Sequence, residues 1–198
     1  MQINPYTTYD VISLVEKLQK LLGDVAEQEI QLFSYLACLL SLYDGKTLTY
    51  WNYHFIKNDI GAPYSVQINE AIKLLNRNDM LISDDGYLQI TDRGMINFNR
   101  LSELNLNADR EKYLNASVNC LQYSPFSVVK ESLFKEPILN DVIEISDRKN
   151  LLDEEDLSVE LLYEQFTSLH KALEGKYSDH LVVPALTWLS LLGKNQIG

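Results

Sequence analysis

Residues 62–94, APYSVQINEAIKLLNRNDMLISDDGYLQITDRG, predict a compact run of local structure. Apolar residues recur at helical spacing from Ile68 to Leu75, which indicates an amphipathic helix. The polar run 76–79 then ends that helix, because Asn and Asp favour turns. This part of the stretch therefore predicts a helix followed by a tight turn.

The second part of the stretch predicts a β-hairpin and the start of another helix. Short strands are expected at 80–83 and 87–90, and the Asp85-Gly86 pair can adopt the positive φ angles of a two-residue hairpin turn. Thr91 or Asp92 can cap the helix that follows. The order is thus helix, turn, hairpin and helix start.

This order resembles a winged-helix domain. The Ile90-Thr91-x-x-Gly94 exit from the hairpin is the form that many bacterial winged helices take. The resemblance covers about a third of the chain. It implies a protein that is mainly α with a small β-hairpin, organised as a winged-helix domain with N-terminal helices (residues 1–104) and a helical C-terminal region (residues 105–198).

Apolar patterning adds helices on both sides of this stretch. An amphipathic helix is expected from Val11 to Leu22, and the pattern from Ala26 to Tyr43 leaves almost no polar face, as in a helix at the centre of a core. The aromatic-rich segment 47–60 is ambiguous between a strand and a short helix. Toward the C-terminus, amphipathic helices are predicted at 157–173 and at about 179–192. The charged segment 147–156 is predicted to be a surface linker.

Charge argues against duplex DNA as the main ligand. The chain has 17 basic and 28 acidic residues, a formal net charge of −11, which repels phosphates. The predicted hairpin tip is Asp84-Asp85, where a DNA-reading wing usually carries basic residues. If the chain nevertheless contacts nucleic acid, the residues expected to do so are Lys73, Arg77 and Arg93.

The sequence shows no recognisable catalytic or cofactor motif. The three histidines lack metal-ligand spacing, and neither cysteine lies in a Cys-x-x-Cys pair. Neither a phosphate-binding glycine loop nor a Gly-x-Ser-x-Gly elbow is present. We therefore expect no enzyme activity, no cofactor and no metal. A small hydrolase built on Cys38 or His54 would require a pocket that joins them.

Composition favours a cytoplasmic protein. No segment approaches the roughly 20 apolar residues that span a bilayer, and residues 1–5 lack the features of a secretion signal. Cys38 and Cys120 each lie inside an apolar helical pattern. Two buried thiols in a reducing compartment are favoured over a disulfide.

Surplus apolar residues suggest a protein partner. The candidate partner-binding residues are Trp51 and Tyr53 in the aromatic segment, and Leu186, Trp188 and Leu189 near the C-terminus. A larger single core is the alternative for both sets.

An acidic winged helix with a helical extension and no catalytic residues resembles the winged-helix accessory proteins that dock onto coiled-coil ATPases. Its size and layout resemble the small middle component of bacterial three-component antiphage operons of the Lamassu type. This resemblance implies a non-catalytic adaptor of an antiphage or plasmid defence complex, with an SMC-like ATPase and a nuclease-bearing effector as partners. The alternative is a winged-helix transcriptional regulator or antitoxin-like repressor.

Overall fold

The computed structural model describes residues 4–140, 150–174 and 180–194, which are mainly α-helical with a small antiparallel sheet. The elements up to the hairpin are α1 (Pro5–Leu22), β1 (Val25–Ala26), α2 (Glu27–Tyr43), a 3₁₀ turn (Leu48–Trp51), β2 (Ile56–Lys57), β3 (Pro63–Tyr64), α3 (Val66–Arg77), β4 (Leu81–Asp84) and β5 (Tyr87–Ile90). The elements that follow are α4 (Asp92–Ser102), α5 (Asn105–Asn119), a second 3₁₀ turn (Cys120–Gln122), α6 (Phe126–Leu133), α7 (Pro137–Asn140), α8 (Leu157–Ala172) and α9 (Val182–Lys194).

The first two helices form as their apolar patterns predict. The Asn4 side chain accepts a hydrogen bond from the Tyr6 amide at the start of α1, and the helix ends at Gly23, where φ is +81°. Every residue from Ile30 to Tyr43 in α2 is buried. The prediction that α2 lies at the centre of the core is therefore confirmed.

The aromatic segment 47–60 contains both structures that its sequence allows. It begins with the 3₁₀ turn and leads into the short strand β2, which pairs with β3. The Asn58 side chain accepts hydrogen bonds from the Ile60 and Ala62 amides and closes the connecting loop. Side-chain hydrogen bonds of this kind are why Asn is frequent in turns.

The predicted hairpin is confirmed. β4 and β5 pair in antiparallel register, with Asp84 opposite Tyr87, and the turn residues Asp85 and Gly86 have φ values of 46° and 81°. β1 pairs with the outer edge of β5, so that the sheet has the order β1-β5-β4. This third strand was not predicted, because two residues are too short to show a periodic pattern.

The exit from the hairpin depends on Gly94. The Thr91 hydroxyl accepts a hydrogen bond from the Gly94 amide 3.0 Å away, which caps α4. A Cβ atom placed on Gly94 would lie only 2.1 Å from the Met80 carbonyl oxygen. The glycine therefore allows the first turn of α4 to approach the start of β4 closely.

The C-terminal helices continue the same core. α5 packs against α1 and α2, α8 contacts α2 and α7, and α9 packs against α5 and α6. The buried hydrophobic cluster consequently includes residues on both sides of position 104. The domain division at 104/105 stays a prediction.

The acidic segment before α8 has a local structural role at its end. The Asp156 carboxylate accepts a hydrogen bond from the Ser158 amide and caps α8, as expected for an acid at a helix start. Residues 147–149 of the predicted linker, and Asp179 at the predicted start of the last helix, lie outside the described residues. Among the described helices, none has the length and hydrophobicity needed to cross a membrane.

Candidate functional site

A buried ion pair joins α1 to α5. The Arg110 Nε atom donates to Asp10 Oδ1 at 2.8 Å, and its Nη2 atom donates to Asp10 Oδ2, so the contact has two parallel hydrogen bonds. Both side chains are almost completely removed from solvent. Burial raises the pKa of the Asp10 carboxyl, and the Arg110 guanidinium opposes this shift. Burial lowers the pKa of Arg110, but its contacts with Asp10 raise it by more, so the guanidinium remains charged.

The aromatic segment encloses this ion pair. The Arg110 guanidinium carbon lies 4.2 Å from the centre of a Trp51 ring, a cation–π distance. The Tyr53 hydroxyl donates to Asp10 Oδ2 at 3.0 Å, and the Trp51 indole N–H donates to Ser41 Oγ at 2.6 Å. Trp51 and Tyr53 are therefore buried structural residues. This corrects their assignment as partner-binding candidates, because their aromatic and polar atoms are already used inside the chain.

Two of the three C-terminal candidates are also buried. Trp188 is only 2 % exposed, and its ring packs edge-on against Phe166 with 5.2 Å between centroids. Its indole N–H donates to Gln165 Oε1 at 2.9 Å. Leu189 is buried beside it, so neither residue can serve as an exposed anchor in this chain. Trp188 and Leu189 therefore fit the alternative of a larger single core rather than a partner-binding surface.

Leu186 is the remaining candidate, and it is half-buried. It lies beside a groove of about 650 Å³ between α5 and α9. Polar side chains of α5, including Lys112, Asn115 and Asn119, line the opposite side of the groove. Its role in partner binding stays a prediction.

The three basic candidates for nucleic-acid contact are exposed but do not form a free basic surface. Lys73 Nζ lies 2.9 Å from Glu70 Oε1, and Arg93 Nη1 lies 3.7 Å from Asp79 Oδ2. Arg77 is exposed at the end of α3. The hairpin tip adds the exposed carboxylates of Asp84 and Asp85. Acids thus lie next to two of these three cations, Lys73 and Arg93.

The cysteines and histidines do not assemble a nucleophilic site. Cys38 and Cys120 are free, buried thiols, as expected. Burial raises the pKa of Cys38 and raises that of Cys120 to about 12, which keeps both thiols protonated. His54 is exposed, so it does not share a solvent-accessible site with Cys38. Within the described ranges, no cluster of three or more His, Cys, Asp or Glu residues could hold a metal.

A small cavity lies between α2, the β2–β3 hairpin and α6. Its volume is about 280 Å³, near the lower limit for small-molecule sites. Leu32, Phe126 and Phe134 supply apolar lining, whereas Glu29 and Lys130 supply opposite charges. The Glu29 carboxylate already accepts a hydrogen bond from the Ala26 amide, so it is used in capping α2. The lining does not indicate one chemical class of ligand.

Glu136 is a buried carboxyl at the start of α7. It accepts hydrogen bonds from the Ile138 and Leu139 amides, at 2.9 and 2.6 Å, and from the Tyr35 hydroxyl at 3.0 Å. Burial raises its pKa to about 7, although these donors oppose the shift. The charged form is therefore less favourable in the folded protein than in the unfolded chain.

We expect Glu136 to make stability depend on pH. Its folded-state pKa is above the unfolded value, so its contribution is complete below about pH 4.5 and is lost as pH rises through about 7. The free energy of unfolding should fall by about 3 kcal/mol over this window from this group alone. Denaturant titrations of Glu136→Gln should show a flatter dependence than wild type between those values. Parallel curves for the two proteins would refute the assignment.

An exposed apolar face on α8 was missed in the sequence. Leu157 and Leu161 are 73 % and 52 % exposed, whereas Val159, Leu162 and Phe166 point into the core. The predicted helix is confirmed, but its leucines belong to two faces. The signal was present in the spacing, since positions 159, 162, 166 and 169 form a complete buried stripe without positions 157 and 161.

Comparison with known proteins adds no assignment. No protein-family profile matches the chain, and no curated protein or solved structure matches it significantly.

Proposed function

We propose that this protein is a winged-helix adaptor that binds another protein rather than DNA. The order α1, β1, α2, α3, β4, β5 and the pairing of β1 with β5 support a winged helix, in which a hairpin directly follows the recognition helix. In this proposal α3 corresponds to the recognition helix and β4–β5 to the wing. The 3₁₀ turn and the β2–β3 hairpin are then an insertion between the second and third helices.

One observation supports a protein rather than DNA as the partner. Lys73 and Arg93, two of the three basic candidates on α3 and just after the hairpin, lie beside carboxylates, and the hairpin tip is acidic. Phosphates approaching this face would compete with Glu70 and Asp79 for the cations and would meet Asp84 and Asp85. The regulator alternative requires this same face to bind DNA, so it is the less favourable proposal.

The proposed partner follows from the resemblance to three-component antiphage operons. The chain would be the non-catalytic, cytoplasmic middle subunit, with an SMC-like ATPase as direct partner and a nuclease-bearing effector in the same complex. The net charge of −11 and the exposed apolar residues on α8 fit a subunit that acts by binding protein.

We expect the purified chain to bind duplex DNA no better than about 10⁻⁴–10⁻⁶ M, the range of non-specific contact, with strong dependence on salt. The proposal expects a gene for an SMC-like ATPase beside the gene for this chain, and co-expression of the two proteins should yield a complex that survives size-exclusion chromatography. The Lys73→Ala/Arg77→Ala/Arg93→Ala variant should form that complex as well as wild type does.

Two results would contradict this proposal. Tight, sequence-specific DNA binding that the triple alanine variant abolishes would support the regulator instead. Failure to form any complex with the adjacent ATPase, at concentrations where both proteins are folded, would remove the adaptor assignment.

A further inference from the structure

The α8 outer face is defined here by Leu157, Glu160, Leu161 and Glu164. The two leucines are four positions apart, so their side chains are neighbours on one side of the helix. The opposite side of α8 packs into the core through Val159, Leu162, Phe166 and Leu169. Single exposed leucines are ordinary on protein surfaces, but two adjacent ones form a continuous apolar ridge.

Carboxylates border this ridge. Glu160 and Glu164 are also four positions apart and exposed, and Glu154 and Glu155 lie exposed in the turn before the helix. Within the part of the chain that the structure describes, none of these four acids takes part in an ion pair. The α8 outer face therefore presents apolar contact area next to uncompensated negative charge.

We infer that the α8 outer face is a docking site for a basic amphipathic helix of a partner protein. Apolar side chains of such a helix, spaced three or four residues apart, would cover Leu157 and Leu161. Flanking Lys or Arg side chains would pair with Glu160 and Glu164 and speed the encounter. This inference rests on one part of the proposed function, namely that the chain binds another protein.

Charge decides between possible occupants. A second copy of this chain carries the same net charge of −11, and docking through its own α8 outer face would place acids against acids, which is unfavourable. A nucleic acid would bring phosphates to the same carboxylates. A basic helix is the occupant that satisfies both the apolar ridge and the acids beside it.

The test uses the full chain and a fluorescein-labelled helical peptide of about 18 residues, five turns long, with leucines at i, i+4 spacing and lysines elsewhere. A matched peptide carries glutamate in place of lysine. Fluorescence anisotropy should detect binding of the basic peptide only, and binding should weaken as salt is raised. Equal binding of both peptides, or of neither, would overturn the inference.

Surface variants locate the binding. Leu157→Ser/Leu161→Ser and Glu160→Gln/Glu164→Gln should each weaken peptide binding by about tenfold or more, with melting temperatures close to wild type. The apolar control is Val128→Ser/Leu191→Ser on α6 and α9, whose side chains are 48 % and 51 % exposed. The charge control is Glu103→Gln/Glu131→Gln, two other exposed acids. Equal losses in the α8 variants and their controls would show non-specific attraction and refute the site.

The same variants separate this inference from the adaptor proposal. If Leu157→Ser/Leu161→Ser prevents complex formation with the adjacent SMC-like ATPase and the α6–α9 control does not, the ATPase uses this face. If the ATPase binds wild type and the α8 variant equally, the adaptor proposal survives and the docking inference fails. If the ATPase does not bind but the basic peptide does so through α8, the docking inference stands and the adaptor proposal fails.

Discussion

Trp188→Ala should lower the free energy of unfolding by about 3–5 kcal/mol and leave little folded protein at growth temperature. The indole is 2 % exposed and packs against Phe166, so its removal leaves a large cavity between α8 and α9. It also leaves Gln165 Oε1 without the indole donor 2.9 Å away. Chemical denaturation followed by circular dichroism measures the loss directly.

Trp188→Phe is the matched control, because it keeps an aromatic ring against Phe166 and removes the indole N–H. Its loss should be smaller, about 1–2 kcal/mol. A Trp188→Ala protein with unchanged stability but impaired partner binding would instead restore the residue as an interface anchor. That result would require α9 to leave its position against α5 and α6.

Local chemistry explains which parts of the fold the sequence predicts correctly. Asp85 and Gly86 suit a turn with positive φ whatever surrounds them, and the hairpin forms there. The pattern of α2 from Ile30 onward leaves almost no polar face, so that part of the helix has no stable position outside a core, and it is buried from Ile30 to Tyr43. The end of α1 at Gly23 also depends on local chemistry, because glycine readily adopts the positive φ found there.

Sequence alone does not show whether the candidate site residues are buried, because the residues that they contact are distant in the chain. Trp51 looks like a surplus aromatic until Arg110, 59 positions later, is found against its ring. The sequence shows an arginine in a polar stretch of α5 and offers no sign that it is buried. Trp188 likewise depends on Phe166 in another helix. Hydrophobicity indicates that such residues avoid water, but it does not distinguish the core from an interface.

On α8 the opposite error occurs, because two exposed leucines look like core residues in the sequence. Treating Leu157, Leu161 and Leu162 as one stripe predicts an ordinary amphipathic helix, and the helix is present. Positions 157 and 161 are nevertheless directed away from the residues that bury α8. A strict count of helical periodicity separates the two sets, whereas an average over the whole helix merges them.

The buried ion pair between Asp10 and Arg110 should produce the second large effect. Arg110→Met removes the guanidinium and leaves a buried carboxylate whose remaining direct donor, among the described residues, is the Tyr53 hydroxyl. Breaking a buried pair by removing one partner is expected to cost about 3–5 kcal/mol, because the other charge stays desolvated. The loss should diminish at low pH, where Asp10 can bind a proton. Denaturant titrations at two pH values measure both effects.

The double variant Asp10→Leu/Arg110→Met distinguishes charge from packing. Replacing both partners removes the uncompensated charge, so it should recover much of the stability that Arg110→Met loses. Lys46→Met is the control for a solvent-accessible pair, because half-buried Lys46 forms a 2.8 Å ion pair with exposed Asp109 and its loss should change stability by less than about 1 kcal/mol. If Arg110→Met behaves like Lys46→Met, the ion pair is not buried in solution. If the double variant is no more stable than the single one, the contact of the guanidinium with Trp51, rather than the charge pair, holds α5 against the aromatic segment.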